Sequence, residues 1–328
     1  MKAVLLSGFG GVDVLRIGEC QDPVPKEGDL LVRVRATALN RADLLQRRGK
    51  YPPPEGASEI LGLEMAGEVL QAGPAAGDFR EGDRVCALLP GGGYAQRVAI
   101  PSGLAIRLPD SMSFEEGAAI PEAFLTAYRN LFDLGGIEAG RKVLVHAGAS
   151  GVGIAAIQLI REAGAYSFVT AGTPEKVRRC LELGARTGWN RNEGPFAPWI
   201  AAQTGGRGVD LVLDCVGAAY FEQNMQSLAE GGKLIVIGMM GGSMAGNLNL
   251  ALLLTRGLHI VGSRIRGMSV EGKVALTRRF TAFAMPRFED GSLFPVVDSV
   301  YDWSEAARAH SRMEENANIG KIVLRVSE

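Results

Sequence analysis

The stretch that decides the fold runs Val143-Leu144-Val145-His146-Ala147-Gly148-Ala149-Ser150-Gly151-Val152-Gly153. It opens with apolar, mostly β-branched residues, which are typical of a buried strand. A glycine-rich turn follows, and residues 152–163 then continue as a helix-length apolar segment that ends before Gly164. This order of strand, tight turn and helix predicts the first βα unit of a parallel sheet.

Further βα units follow along the chain. We predict, in order, a strand over 167–170, a helix over 174–183, a strand over 210–214, a helix over 220–228 and a strand over 233–238. Pro174 falls in a first helical turn, where its missing N–H costs little. Repeated βα units predict an α/β fold with a doubly wound parallel sheet and helices on both faces.

The sequence before residue 122 has a different pattern of apolar residues, prolines and glycines. Residues 30–38 alternate between two faces, and prolines and glycines interrupt the apolar runs often. These features predict short strands with tight turns, as in a small barrel or an irregular sheet. The βα pattern becomes weak after about residue 265, and we predict one more strand over residues 322–324.

Bulk properties exclude several classes of function. The 328 residues suit two domains, and 35 basic against 36 acidic residues give a net charge of −1, which speaks against nucleic-acid binding. We find no apolar run of the ~18 residues that a membrane span needs, and no secretory signal at the start. The four scattered cysteines suit a reduced, cytoplasmic compartment better than a disulfide framework or a clustered metal site.

The glycine turn predicts a dinucleotide site. The N-terminus of a helix binds a diphosphate through backbone N–H groups, and a side chain at Gly151 or Gly153 would block its approach. The spacing Gly-x-x-Gly-x-Gly departs from the usual Gly-x-Gly-x-x-Gly, so a purely structural βα turn is the alternative. The residues that we expect to contact the dinucleotide here are Ala147, Gly148, Ser150, Gly151, Val152 and Gly153.

The next βα turn indicates which dinucleotide binds. An NAD site usually ends its second strand with an acidic residue that accepts from the ribose hydroxyls, but here the strand leads into Gly172 and Thr173. Lys176 follows in the next helix, and Arg191 could add a second cation. A neutral loop beside cations suits a 2′-phosphate, so we predict NADPH. The alternatives are that both cations are solvated surface charges, or that Glu175 takes the acidic role.

Several motifs resemble one known family over nearly the whole chain, from residue 3 to residue 324. They are residues 38–43 (Ala-Leu-Asn-Arg-Ala-Asp), 62–64 (Gly-Leu-Glu), 89–93 (Leu-Pro-Gly-Gly-Gly), 123–127 (Ala-Phe-Leu-Thr-Ala), 147–153 and 318–324 (Asn-Ile-Gly-Lys-Ile-Val-Leu). This set is similar to the zeta-crystallin-like quinone oxidoreductases of the medium-chain dehydrogenase/reductase superfamily. The tumour-suppressor-induced branch resembles it most, since it shares residues 40–43, Tyr51 and the Pro-Gly-Gly-Gly loop.

The resemblance implies an architecture and a set of site residues. We expect a GroES-like, β-rich catalytic domain over 1–122 and 265–328 around a Rossmann domain over 123–264. Asn40 and Tyr51 match family positions that bind cofactor or substrate, and Thr126 matches a residue beside the nicotinamide. Their local alternatives are a turn-capping Asn, a loop Tyr and a helix Thr that bonds its own backbone. Further expected cofactor contacts are Gly238, Met239, Met240, Arg266 and Asn318.

The same resemblance implies that no metal takes part. Zinc-dependent relatives carry a cysteine where this chain has Asn40 and a histidine where it has Leu63. Leucine has no donor atom, and a neutral amide binds Zn²⁺ poorly. The three histidines, His146, His259 and His310, are dispersed and read as structural.

A reductase without a metal suits an acceptor that needs little activation. Hydride addition to a quinone gives an anion that is delocalised through an aromatic ring, whereas a simple ketone gives a basic alkoxide. We therefore expect a small quinone as substrate. An alkenal or enone reductase is the alternative within the class, and a non-catalytic structural or RNA-binding relative is the alternative outside it. Leucines at 248–254 after the strand 233–238 suggest a homodimer joined at the sheet edge, although a core helix of the monomer also fits them.

Overall fold

The computed structural model of the chain describes residues 1–246 and 248–327. The chain forms two compact units. One consists of Met1–Leu125 and Ile265–Glu328, and the other of Thr126–Arg264. The helix Pro121–Tyr128 contains the point where the chain passes from one unit to the other.

The strands of both units are numbered in chain order. They are β1 (Lys2–Leu6), β2 (Leu15–Glu19), β3 (Asp29–Ala38), β4 (Glu64–Ala72), β5 (Arg84–Leu88), β6 (Arg97–Pro101), β7 (Ala105–Arg107), β8 (Lys142–Val145), β9 (Tyr166–Ala171), β10 (Thr187–Asn190), β11 (Val209–Asp214), β12 (Leu228–Val236), β13 (His259–Gly262), β14 (Val297–Asp302) and β15 (Lys321–Arg325).

The helices are numbered in the same way. They are α1 (Arg41–Arg47), α2 (Phe114–Ala118), α3 (Pro121–Tyr128), α4 (Gly151–Glu162), α5 (Pro174–Glu182), α6 (Ala197–Thr204), α7 (Phe221–Ser227), α8 (Leu250–Thr255), α9 (Val270–Glu289) and α10 (Ala306–Glu314). Single turns of 3-10 or π helix lie at Val12–Val14, Ser102–Leu104, Arg129–Leu134, Arg191–Glu193, Ala218–Tyr220 and Trp303–Glu305.

The first unit is built on a mixed sheet in the order β14-β15-β3-β4-β5-β7, in which only β14 and β15 pair in parallel, and β6 pairs with β3 beside it. The two ends of the chain meet here because β15 pairs with β3, with Val323 opposite Ala38. The inward-facing residues of β3 are fully or almost fully buried, which confirms the alternation read from residues 30–38. Their core also includes Tyr94 and Trp303.

The second unit is a parallel sheet in the order β10-β9-β8-β11-β12-β13. Counted within the unit, this order is 3-2-1-4-5-6, the Rossmann arrangement whose direction of winding reverses between β8 and β11. The central strands are apolar and buried because helices cover both faces of such a sheet. The mixed α/β fold, with a parallel Rossmann sheet and a β-rich unit, is confirmed.

Capping residues set where the two helices next to the glycine turn begin. Ser150 Oγ accepts from the N–H of Gly153 at 3.1 Å, and Thr173 Oγ1 accepts from the N–H of Lys176 at 3.2 Å. Both helices end before a glycine with positive φ, which costs little without a Cβ: Gly164 at 70° and Gly184 at 105°. The predicted βα units therefore lie where the sequence placed them, to within a few residues.

Other elements were not predicted. The sequence reading missed β10 and α6, whose residues include polar side chains and a proline, and it missed the 20-residue helix α9. The buried residues of α9 include Lys273 and Thr277, so its inner face does not stand out as an apolar stripe. Among the described residues, the structure contains no helix that is long and apolar enough to cross a membrane.

Candidate functional site

The turn between β8 and α4 is tightly packed and leads directly into the N-terminus of α4. Ala147 adopts φ 51°, a conformation that non-glycine residues rarely take and that is often found at functional sites. A Cβ at Gly153 would lie 2.5 Å from the carbonyl oxygen of Ala147, and one at Gly148 would lie 2.9 Å from the Cβ of Val169. Both glycines are therefore required by the packing of the turn itself, which positions the first N–H groups of α4 outward from the sheet edge.

The loop after β9 lies beside Arg191. A Cβ built at Gly172 would be 3.5 Å from the guanidinium of Arg191, and Asn192 Nδ2 donates to the carbonyl oxygen of Gly172 at 2.8 Å. The positive charge of Arg191 also acts on the hydroxyl of Tyr220. The structure thus brings together Gly172 and Arg191 as the sequence predicted, and it adds Asn192 and Tyr220, for which the sequence offered no signal.

Lys176 lies on the face of α5 that is turned toward the glycine turn. It is one helical turn before Cys180, its charge acts on the Cys180 thiol, and Cys180 Sγ lies 3.0 Å from the Cβ position of Gly148. Glu175, the acidic alternative, is exposed on the same helix. The loop 171–173 is thus followed by Lys176 in the first turn of α5 and has Arg191 beside Gly172.

A third loop follows β12. The N–H groups of Met240 and Gly241 donate to the carbonyl oxygens of Cys215 and Val216 at 3.3 and 2.7 Å. A Cβ at Gly238 would lie 2.9 Å from the carbonyl oxygen of Cys215, so glycine is needed for these two loops to lie side by side. Met239 and Met240 are 63% and 54% exposed, which leaves this loop open to a ligand.

All of these loops leave the carboxyl ends of parallel strands. They therefore share one edge of the sheet, at the switch point where α/β folds of this order bind nucleotides. Thr126 belongs to the same unit, and its Oγ1 is buried without a hydrogen-bond partner among the described residues. The local alternative for Thr126, a bond to its own helix, is not found there. The unpartnered hydroxyl of Thr126 and the glycine-containing loops at this edge of the sheet fit a bound dinucleotide.

The first unit contains a buried charged network around Lys321. Its ammonium donates to Asn40 Oδ1 and to the carbonyl oxygen of Leu39, and it forms an ion pair with Glu64 Oε1, each at 2.7 Å. Asn40 Nδ2 in turn donates to Glu64 Oε1 at 2.9 Å and to the carbonyl oxygen of Ala38 at 3.2 Å. The Asn40 side chain, which we expected to contact cofactor or substrate, thus bonds to the protein and orders this network.

The same network extends to α1 and α3. Asp43 Oδ1 accepts from the N–H of Gly62 at 3.0 Å, and its Oδ2 accepts from the N–H of Asn40 at 2.8 Å. Burial raises the pKa of Asp43 to about 6 in spite of these two bonds and the charge of Lys321. Glu64 Oε2 accepts from the N–H of Glu122 at 2.8 Å, so the start of α3 is anchored to the network.

Tyr51 and Arg266 form a second polar group in this unit. The guanidinium of Arg266 lies 5.1 Å from the centre of the Tyr51 ring, a cation–π contact. Its Nη2 donates to the carbonyl oxygen of Pro90 at 2.7 Å and to Gln46 Oε1 at 2.8 Å. Its Nη1 is buried and has no hydrogen-bond partner among the described residues, although the residue is only 5% exposed. An unsatisfied guanidinium N–H is costly, and it indicates a ligand or water at this point.

Other predicted residues have local roles. Asn318 Nδ2 donates to the carbonyl oxygen of Gly320 at 2.7 Å, within its own turn. Leu63, which stands where zinc-dependent relatives carry a histidine, is 1% exposed in the apolar core. Over residues 1–246 and 248–327, no three His, Cys, Asp or Glu side chains are grouped as metal ligands would be.

Glu64 and Lys321 stand within the motifs of the resemblance but were not predicted as site residues, and neither was Glu122. Each of them is a single charge inside an apolar run, such as Lys321 before Ile322-Val323-Leu324. A lone charge in a buried strand or helix must have partners, so this pattern could have identified all three.

Comparisons with known proteins agree with this geometry. Residues 26–110 match the family described as "Alcohol dehydrogenase GroES-like domain", and residues 151–279 match "Zinc-binding dehydrogenase". The quinone oxidoreductase of Lama guanicoe is 31% identical over 99% of this chain and 97% of its own length.

Solved structures extend the comparison. The quinone oxidoreductase of Escherichia coli complexed with NADPH has a TM-score of 0.89 at 28% identity and covers 99% of this chain and all of its own. A structure of an NAD-dependent alcohol dehydrogenase has a TM-score of 0.88 at 33% identity, with complete coverage of both chains. From its two domain families, its full-length relatives and its fold, the chain belongs to the medium-chain dehydrogenase/reductase superfamily of oxidoreductases, with quinone oxidoreductases among its homologues.

Proposed function

We propose that the chain is an NADPH-dependent oxidoreductase that reduces a small conjugated carbonyl compound, with a quinone as its preferred acceptor. The observation that carries this proposal is the loop 171–173, which has no acidic residue, lies beside Arg191 and is followed by Lys176 in the first turn of α5. A loop of this kind suits a 2′-phosphate and offers nothing for the ribose hydroxyls of NAD. The NADPH complex of the Escherichia coli relative supports the same choice.

The acceptor class is argued from the residues around Lys321. A zinc site at this position would need donors at residues 40 and 63, but Asn40 is bonded to Lys321 and Glu64, and Leu63 has no donor atom. The positive charge next to Glu64 is the ammonium of Lys321. An acceptor that stabilises its own negative charge, such as a quinone, fits this arrangement better than a simple ketone does.

The chain's own residues would bind and orient the reactants. When bound, NADPH supplies the hydride. The N–H groups at the start of α4 would hold its diphosphate, Lys176 and Arg191 its 2′-phosphate, and Thr126 Oγ1 a polar atom near the nicotinamide. Tyr51 and the unpaired Nη1 of Arg266 would hydrogen-bond the oxygen of the acceptor. Catalysis would then rest mainly on holding the reactants at reacting distance.

The experiment is an acceptor panel. The purified protein is assayed for NADPH oxidation with 1,2-naphthoquinone, other small quinones, enones and simple ketones, with and without a chelator. We expect the quinones to be the best substrates, the chelator to leave the rates unchanged, and elemental analysis to find zinc far below one per chain. Stoichiometric zinc with chelator-sensitive activity on ketones would contradict the proposal, and a preference for enones would favour the alkenal or enone reductase instead.

A further inference from the structure

Glu122 has an unusual environment for a carboxylic acid. It lies in the first turn of α3, and its backbone N–H is fixed by Glu64 Oε2 at 2.8 Å. Among residues 1–246 and 248–327, nothing forms a hydrogen bond or an ion pair with its carboxyl group. Glu122 is half-buried, and a carboxyl group without a partner in such a place is costly to keep ionised.

Charged groups surround Glu122 from every element packed around it. Glu64 lies on β4, Lys321 on β15, Asp43 on α1, Arg266 in the segment before α9, and Lys273 on α9 itself, and each interacts electrostatically with the Glu122 carboxyl. The two acids oppose ionisation and the three cations favour it. Burial and then the charge of Glu64 raise the pKa of Glu122 to about 8, against the effects of Lys321 and Arg266. The carboxyl group is therefore mostly protonated at pH 7.

A second unsatisfied group belongs to the same cluster. Arg266 Nη1 has no partner among the described residues, while the other end of the guanidinium is held by Pro90 and Gln46. Lys273 Nζ donates to the carbonyl oxygen of Arg266 at 3.0 Å, which fixes the backbone there as well. A polarised oxygen atom of a substrate would satisfy both the unpaired donor, on a guanidinium held by Pro90 and Gln46, and the unpaired acid, whose backbone N–H is fixed by Glu64.

We propose that Glu122 is the acid that supplies the proton in the reduction, with Arg266 Nη1 as a hydrogen-bond donor to the same substrate oxygen. This inference rests on the proposed function. Hydride addition brings two electrons and one hydrogen to the conjugated carbonyl and leaves an oxyanion. The Glu122 O–H bond then breaks, its proton forms the new O–H bond of the hydroquinone or enol, and the Glu122 carboxylate regains a proton from water. NADPH, the acceptor and one proton are consumed, and NADP⁺ and the reduced acceptor are formed.

The pH dependence follows from which form is active. The acid must be protonated, so kcat/KM should be constant below about pH 8 and fall as the pH rises through the pKa of Glu122. Glu122→Gln keeps the size of the side chain but cannot donate a proton, so this decline should disappear. Glu122→Asp keeps an acid and should restore part of the rate.

The kinetic test compares two acceptors. General acid catalysis contributes about 10²–10⁴-fold where a proton is needed in the transition state. We expect Glu122→Gln to lower kcat about 100-fold with an enone, whose enolate is strongly basic, and only about tenfold with 1,2-naphthoquinone. Glu138→Gln, which changes an exposed glutamate, is the matched control and should behave as the wild type does.

A second readout needs no turnover. Carboxyl ¹³C signals of the coenzyme-free protein, labelled at glutamate, are followed with pH, and the Glu122 signal is the one missing from Glu122→Gln. It should titrate near pH 8, and titration in the ordinary acidic range of glutamate would overturn the inference. If the wild type reduces no acceptor, the proposed function falls and this inference falls with it. If it does turn over and Glu122→Gln keeps the wild-type rate and pH profile, the inference alone is wrong.

Discussion

The ammonium of Lys321 lies 2.7 Å from a carboxylate oxygen of Glu64, and the two side chains are 6% and 0% exposed. Such a buried pair contributes less to stability than its short distance suggests, because both charges lose their water. Replacing only one of the two residues is strongly destabilising, since the charge of the other is then buried without a partner.

We therefore predict that Lys321→Met lowers the free energy of unfolding by about 3–5 kcal/mol. The double variant Lys321→Met with Glu64→Leu should recover part of this loss, because neither charge of the pair is left alone, while Asn40 and the N–H of Glu122 lose their acceptor. Arg35→Met, which breaks the half-exposed pair with Glu68, is the control and should cost about 1 kcal/mol or less. Urea unfolding curves measure all three. Equal losses for Lys321→Met and Arg35→Met would contradict this account.

Lys176 should determine the choice of coenzyme. A contact between its ammonium and a 2′-phosphate at a partly exposed site contributes about 1–3 kcal/mol, so the wild type should prefer NADPH over NADH by roughly tenfold or more. Lys176→Ala should remove most of this preference and leave NADH kinetics nearly unchanged. High salt should also reduce the preference for NADPH in the wild type, because salt screens the contact. Arg178→Ala, an exposed change on the same helix, is the control. Equal use of both coenzymes by the wild type would contradict this role and would mean that Lys176 is only a solvated surface charge.

Tyr51 should act through its hydroxyl and its ring separately. Tyr51→Phe keeps the ring that lies against Arg266, so it should raise KM for NADPH or quinone by an amount equivalent to about 1 kcal/mol while thermal stability stays the same. Tyr51→Leu also removes the cation–π contact, and it should lower kcat because Arg266 loses one of the contacts that orient it, beside its bonds to Pro90 and Gln46. Unaltered steady-state kinetics in Tyr51→Phe would leave Tyr51 as a loop residue.

An exposed apolar surface borders the end of the Rossmann sheet. The strand β13 is the last of its sheet, and Ile260 on it is 41% exposed. The exposed apolar residues of the neighbouring segments are Met239, Met240, Met244, Leu248, Leu250 and Leu254. An open strand edge beside such a surface invites pairing with a second copy.

We accordingly expect a homodimer joined through β13. Ile260→Asp together with Leu254→Asp should give a monomer in sedimentation velocity at micromolar concentration. Val300→Asp places the same charge on an exposed apolar residue of another edge strand, β14, and should leave the dimer intact. A wild type that sediments only as a monomer would refute the dimer.

The βα units could be predicted from the sequence because local signals agree there: Ser150 and Thr173 cap helices, Gly164 and Gly184 end them, and the strands between are apolar. The helix α9 could not, because tertiary contacts rather than periodicity bury Lys273 and Thr277 on its inner face. The same holds for the site. The motif and the charge pattern suggested that Gly172 and Arg191 lie near each other, whereas the network of Asn40, Glu64 and Lys321 depends on the pairing of β15 with β3.

The central claim is that the chain transfers hydride from NADPH to a quinone without a metal. It is tested most directly by anaerobic titration of metal-free protein and NADPH with 1,2-naphthoquinone, with absorbance measured for both reactants. We predict that one NADPH is oxidised for each quinone reduced, and that the same protein with NADH reacts at least about tenfold more slowly. If NADPH absorbance does not fall when the quinone is added, or falls only after zinc is supplied, the account is contradicted.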